Sequence, residues 1–117
     1  DEALALYSTA LQASARGPVL EIGSYCGKST IYLGLACRAN NSTVFALDHH
    51  RGSEEHQQGE FFHDPELFDA GSGVMDTFRE FRRNIHRAGL DDVVVPVVAS
   101  SENAARHWHT PLAMVFI

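Results

Sequence analysis

Two carboxylates and two glycines near the start of the chain have the types and spacing of a ligand site. Glu21 and Gly23 end an apolar run, and Gly27 follows before a helix-like segment. Glycines in such a loop let the backbone approach a ligand, and the helix N-terminus favours anionic groups. Asp48 closes the next apolar run, and its carboxylate offers two acceptor oxygens at the end of that run. The pattern predicts a site for a nucleotide-like ligand.

The spacing of the glycines argues against two common phosphate-binding loops. A P-loop places four residues between its first glycine and Gly-Lys-Ser, whereas three residues separate Gly23 from Gly27. A dinucleotide-binding loop requires Gly-x-Gly-x-x-Gly, and Tyr25 stands where the second glycine belongs. A nicotinamide-dependent oxidoreductase is therefore a disfavoured alternative.

Alternating helical and strand patterns must position these residues. Helices are predicted over residues 2–15, 28–39, 74–88 and from Ser100 or Ser101 to about 109, and strands over 19–23, 43–47, 93–98 and 112–117. This order is typical of an α/β fold with a Rossmann-like, doubly wound parallel sheet. The strand over 93–98 is apolar throughout, which predicts that both of its faces are covered. Pro96 within it predicts an edge position or a bulge.

The size and charge of the chain narrow the classes of function. Its 117 residues are the size of one domain, and a net charge of −6 argues against a nucleic-acid partner held by phosphate contacts. No apolar run approaches the roughly 18 residues that span a bilayer, and no basic-then-apolar leader is visible. Two cysteines outside paired metal spacings are typical of reduced thiols. We therefore expect a cytoplasmic protein without a membrane partner.

A long polar segment over residues 49–73 interrupts the alternation. Its length of about 25 residues exceeds ordinary connections, and its phenylalanines argue against plain disorder, which favours a functional insertion such as a substrate lid. It contains histidines and carboxylates, but no His-x-x-x-His spacing, so we predict no metal site made by this chain alone. The candidates for a catalytic base are His49, His50 and His56.

The glycine loop and the acid after the second strand resemble motif I of the class I S-adenosylmethionine-dependent methyltransferases. The matching residues are Glu21, Gly23, Gly27 and Asp48. The loop resembles the branch of the family that methylates oxygens of small molecules, through the sequence Glu-Ile-Gly-Ser-Tyr-Cys-Gly-Lys-Ser-Thr. Residues 52–57 and 59–65 resemble bacterial members of that branch. The resemblance implies S-adenosylmethionine as cofactor and a small-molecule methyl acceptor.

The resemblance also implies a role for each matching residue. The loop backbone would pass beneath the methionine part of the cofactor, and Glu21 would lie near its ammonium group. Asp48 would accept hydrogen bonds from the ribose, and His49 would pack on the adenosine. The loop after the third strand would lie near the adenine, although Ala99 departs from the family's Gly-x-Ser pattern. The predicted cofactor-binding residues are Glu21, Gly23, Ser24, Gly27, Ser29, Asp48, His49, Ser100 and Ser101.

The family's acidic residue after the fourth strand, a ligand for metal or substrate, would follow Ile117. We therefore expect residues 1–117 to form one partial cofactor-binding domain with about four strands and an insertion at about 49–73, inactive by itself. A divalent metal remains an alternative that depends on that later ligand. A second hypothesis is a non-catalytic α/β fragment that binds nucleotide-like ligands or assembles with a partner, including another copy, through an open sheet edge.

Overall fold

The computed structural model describes residues 1–52, 68–69 and 74–117. Its helices are α1 (Glu2–Ser14), α2 (Lys28–Ala39), α3 (Phe78–Arg87) and α4 (Ser101–Ala105). Its strands are β1 (Val19–Ile22), β2 (Val44–Asp48), β3 (Phe68–Asp69), β4 (Val74–Met75), β5 (Val94–Val98) and β6 (Met114–Phe116). No helix in this described part of the chain is long and apolar enough to cross a membrane.

Four strands form one parallel sheet in the order β5-β2-β1-β6. The chain first adds β2 and β5 on one side of β1 and then returns to place β6 on the other side. The strand order therefore reverses at β1, and open α/β sheets bind ligands outside the carboxyl ends of the strands at such a point. This arrangement confirms the predicted parallel α/β sheet. A separate antiparallel pair joins β3 to β4.

One face of the sheet carries most of the core. Val19 of β1 and Val44 of β2 are fully buried on this face, as are Leu33 and Ala36 of α2. α1 packs against α2, and its partly buried Leu6, Tyr7 and Leu11 pack against this core. Apolar side chains at helical spacing bury best in this layered arrangement, which explains why these segments form helices beside the sheet.

The opposite face of the sheet is much more open in the described residues. α4 and the Trp108 ring lie on this side, and that ring makes an edge-on contact with Phe45 at 5.2 Å between centroids. Val95 of β5 and Val115 of β6 are 43% and 50% exposed. Among the described residues little packs on this face of β5, so the prediction that both of its faces are covered is wrong for that part of the structure. Pro96 does lie at a sheet edge, as predicted.

Two predicted helices have different bounds in the structure. The helix predicted from residue 74 begins at Phe78, because Val74 and Met75 form β4 and the Asp76 Oδ1 atom accepts the Phe78 N–H at 3.1 Å. The last helix ends at Ala105 instead of near 109, and the Trp108 indole N–H donates to a nearby carbonyl at 2.8 Å. The predicted insertion over 49–73 contains β3, and the rest of it after residue 52 lies outside the described residues.

Candidate functional site

The loop between β1 and α2 bends through two glycines with positive φ. Gly23 has φ of 89° and Gly27 has φ of 94°, values in the left-handed region that favours glycine. The Gly23 N–H donates to the Leu47 carbonyl at 2.8 Å, and the Gly27 N–H donates to the Ser24 carbonyl at 2.8 Å. The loop therefore returns over the end of β2 before α2 begins.

The two glycines have different surroundings. A methyl group on Gly27 would lie 3.2 Å from the Phe81 Cδ2 atom, so this glycine allows α3 to pack closely on the loop. A methyl group on Gly23 would meet no atom of the described residues within 4 Å. Gly23 therefore leaves open backbone at the carboxyl end of β1, where a ligand can approach.

The Asp48 carboxylate contacts the glycine loop. The Asp48 Oδ2 atom accepts the Tyr25 N–H at 2.7 Å, and its Oδ1 atom accepts the His50 N–H at 2.9 Å. The Asp48 side chain is 14% exposed. A carboxylate held by two backbone donors has a fixed orientation and retains lone pairs for further donors.

Glu21 lies beneath the loop and is 1% exposed. Its two carboxylate oxygens accept hydrogen bonds from the hydroxyls of Ser29 and Thr30, in the first turn of α2. Burial raises the pKa of Glu21, the two hydroxyls oppose this shift, and the charge of Asp48 adds to it. Ser29 thus contacts Glu21. Thr30 was absent from the predicted site residues, although a hydroxyl nine positions after a strand carboxylate is a usable signal for such a contact.

The adjacent histidines after β2 face different surroundings. The His49 side chain is 50% exposed, and its Nδ1 atom accepts the Arg51 N–H at 3.0 Å. His50 is 1% exposed, and its Nδ1 atom lies 2.8 Å from the Thr77 hydroxyl. Burial lowers the pKa of His50. His49 is thus the exposed base candidate in the described part, and His56 lies outside the described residues.

The loop after β5 runs beside the end of β2. The Ala99 N–H donates to the Asp48 carbonyl at 3.2 Å, and the Ser100 hydroxyl accepts the Asn103 N–H at 3.1 Å to cap α4. Ser101 and Trp108 line a largely apolar cavity of about 450 Å³ on the open face of the sheet. Trp108 was not among the residues that the sequence predicted for the site.

The structure thus brings the loop, Asp48 and the start of α4 together at the carboxyl ends of the strands. Glu21 and Ser29 lie below the loop, in contact with each other. In the parts of the chain with described side chains, no three His, Cys, Asp or Glu residues form a cluster that could hold a metal ion.

Comparisons with known proteins agree with this architecture. The model of a protein family described as a methyltransferase domain matches residues 20–117. The chain is similar to the structure of a methyltransferase from Podospora anserina bound to SAH, with a TM-score of 0.66 and 16% identity. It is also similar to an O-methyltransferase from Streptomyces achromogenes, involved in tomaymycin synthesis and solved with SAM, with a TM-score of 0.63 and 18% identity.

These similarities extend over part of the known structures. Each alignment covers 97% of this chain, but 38% of the Podospora protein and 41% of the Streptomyces protein. The chain therefore spans about two fifths of the length of either structure. At these identities, the likeness to the two structures concerns the fold.

Proposed function

Because the chain belongs to this family of methyltransferase domains, we propose that it forms the cofactor-binding part of an enzyme that transfers a methyl group from S-adenosylmethionine to an oxygen of a small molecule. The observation that carries the proposal is the meeting of the glycine loop with Asp48. The Tyr25 N–H and the Asp48 carboxylate are joined at 2.7 Å at the carboxyl ends of β1 and β2. An α/β sheet of this topology binds a nucleoside at these carboxyl ends.

The described residues fit such a cofactor at two points. Gly23 leaves space above its Cα atom, so an extended ligand can lie on the loop backbone. Ser24 is 2% exposed, and its hydroxyl oxygen has no hydrogen-bond partner among the described residues. A buried hydroxyl of this kind is costly unless a ligand or another group satisfies it, which supports a polar ligand over the loop.

We assign the nucleoside end of the cofactor to Asp48. Its carboxylate would accept the two ribose hydroxyls, with its orientation set by the Tyr25 and His50 N–H groups. His49, exposed beside Asp48, would pack on the adenosine. Ser100 and Ser101 would border the adenine, since their loop is joined to the Asp48 carbonyl through the Ala99 N–H.

We assign the methionine end to the glycine loop. The backbone from Gly23 to Gly27 would lie beneath it, and Glu21 would contribute negative charge below the loop, near the cofactor's ammonium group. The hydroxyls of Ser29 and Thr30 hold this carboxylate against α2. The cofactor supplies the reactive methyl group, so the main task of these residues is to hold it in one orientation toward the acceptor oxygen.

Calorimetry on the full-length protein tests the proposal. We expect binding of S-adenosylhomocysteine, the demethylated product, and no binding of NAD or ATP under the same conditions. Asp48→Ala should weaken that binding about 10- to 100-fold, because hydrogen bonds to a charged acceptor contribute about 1.5–3 kcal/mol. The matched control is Asp91→Ala, which removes an exposed carboxylate paired with His86. Binding of NAD without S-adenosylhomocysteine would refute the proposal.

A further inference from the structure

Both backbone donors to the Asp48 carboxylate belong to residues in an unusual conformation. Tyr25 has φ of 47° and His50 has φ of 62°, so each is a non-glycine residue in the left-handed region. Such a conformation costs free energy and persists where the surroundings determine it. The orientation of Asp48 therefore depends on whatever holds these two residues in place.

The start of α3 holds His50 in this conformation. The Thr77 N–H donates to the His50 carbonyl at 2.9 Å, and the His50 Nδ1 atom lies 2.8 Å from the Thr77 hydroxyl. Thr77 is fully buried. The two residues are 27 positions apart and make two hydrogen bonds, so they join the end of β2 to the beginning of α3.

Aromatic rings of α3 enclose the imidazole. The ring centroids of Phe78 and Phe81 lie 5.2 Å and 5.1 Å from that of His50. The His50 Nε2 atom is buried and has no hydrogen-bond partner among the described residues. An apolar side chain would fill this space at a lower cost in free energy than an imidazole, since a buried polar atom without a partner is costly.

We propose that His50 is a positioning residue: its buried ring, bonded to Thr77, fixes the backbone so that its own N–H orients the Asp48 carboxylate for the ribose. The inference rests on the proposed function, because it assigns the ribose to Asp48. His50 does not touch the cofactor in this scheme. It acts through Asp48, and α3 acts through His50.

The first test is a double-mutant cycle on the full-length protein, read by calorimetry with S-adenosylhomocysteine. Thr77→Val and His50→Phe each remove the side-chain hydrogen bond and retain most of the packing volume. We expect each to weaken binding about tenfold in the wild-type background, and less than twofold when Asp48→Asn is already present. His50→Asn should recover most of the affinity, because asparagine tolerates positive φ and can still bond to Thr77.

Two outcomes of this cycle would overturn the proposal. Equal losses in both Asp48 backgrounds would mean that His50 acts on the fold as a whole. No loss in either background would mean that the ring does not influence the site. Thr77→Val only replaces a hydroxyl by a methyl group, so it keeps the test valid if His50→Phe fails to fold.

The second test needs no ligand and so separates this inference from the proposed function. Amide hydrogen exchange is followed by NMR in the ligand-free wild-type protein and in Thr77→Val. We expect the His50 amide to exchange about tenfold faster in the variant. The Gly23 amide, which donates to the Leu47 carbonyl, should be unchanged. An unchanged His50 amide would overturn the positioning role, whereas a protein that shows this effect but binds no S-adenosylhomocysteine would refute only the proposed function.

Discussion

Two buried ionisable side chains lie on either side of Asp48, and they are held by different kinds of contact. Glu21 bonds through both oxygens to hydroxyls only eight and nine positions later, within a single strand-loop-helix unit. His50 bonds through one nitrogen to Thr77, 27 positions later, and its other nitrogen has no partner among the described residues. The first network is local and fully satisfied, and the second is long-range and only half satisfied.

The difference separates what builds the loop from what completes the site. The Glu21 network forms as soon as β1 and α2 are in place, since all its members belong to those two elements. The His50 contact requires α3 to be docked. Because regions with few satisfied contacts open more easily than the rest of a protein, we expect the His50 side of Asp48 to open before the Glu21 side.

Phe81→Ala should have the largest effect, because this ring belongs to both regions. Phe81 is 1% exposed, packs under Gly27 and lies 5.1 Å from His50. Replacing a buried phenylalanine by alanine costs about 3–5 kcal/mol of unfolding free energy. Urea unfolding of the full-length protein measures it, with the exposed Arg79→Ala as a control on the same helix. A loss below about 1 kcal/mol would show that the two regions do not share this ring.

Glu21→Ala should have the next largest effect, because it leaves two hydroxyls without their acceptor. We expect a loss of about 2–3 kcal/mol in unfolding free energy. Glu21→Gln keeps the shape and an acceptor oxygen, so its loss should be about 1 kcal/mol. Urea unfolding of both variants compares them. Equal losses would show that the hydroxyl contacts of Ser29 and Thr30 do not stabilise the local network.

The two buried groups should give stability opposite dependences on pH. Burial raises the pKa of Glu21 above its ordinary 4.5, so its contribution is full below that value and is lost as the pH rises through the raised pKa. Burial lowers the pKa of His50 below its ordinary 6.5, so its contribution is full above that value and is lost as the pH falls through the lowered pKa.

Variants of each group isolate these opposite slopes. Between about pH 4 and pH 8, the stability of the wild type relative to Glu21→Gln should fall as pH rises, and that relative to His50→Asn should rise. The charges of Asp48 and Asp76 oppose the lowering of the His50 pKa, and His49 adds to it. Urea unfolding at stepped pH measures both slopes. Slopes of the same sign would show that Glu21 and His50 do not give stability opposite dependences on pH.

His86→Gln should have the smallest effect on stability. It serves as the control for replacing an exposed histidine on α3. The His86 ring is 80% exposed and lies 2.6 Å from the Asp91 carboxylate, which is itself 58% exposed. Exposed pairs of this kind contribute about 0–1 kcal/mol, so we expect a loss under about 0.5 kcal/mol. Calorimetry should show unchanged affinity for S-adenosylhomocysteine. A weakened affinity would mean that this surface influences the site.

The local parts of the site could be predicted from the sequence. Gly23, Gly27 and Asp48 follow apolar strands at recognisable spacing, and parallel strands bring their carboxyl ends together, so the meeting of loop and carboxylate followed from the pattern. The position of Pro96 in an edge strand followed in the same way, because proline has no N–H to donate to a second neighbouring strand.

The long-range parts could not be predicted. Nothing near His50 indicates that Thr77 will bond to it, since the partner lies across an insertion and the contact exists only once α3 docks. The start of α3 was misplaced by about one turn, because Val74 fits the apolar spacing of the helix although it belongs to β4. The exposure of Val95 depends on what covers the open face, and a strand's own sequence does not encode its neighbours.

Pro96 has a further consequence at the edge of the sheet. The Ala99 and Val44 N–H groups bond across the β2–β5 boundary, to the Asp48 and Val93 carbonyls, so odd-numbered residues around β5 face β2 and Pro96 faces outward. The outer side of Val-Val-Pro-Val-Val therefore lacks a donor in its middle. A short, uncharged and strongly β-forming run at a sheet edge is a template for aggregation, and a proline there blocks the addition of a foreign strand. We therefore expect Pro96 to hinder the addition of a further strand along β5.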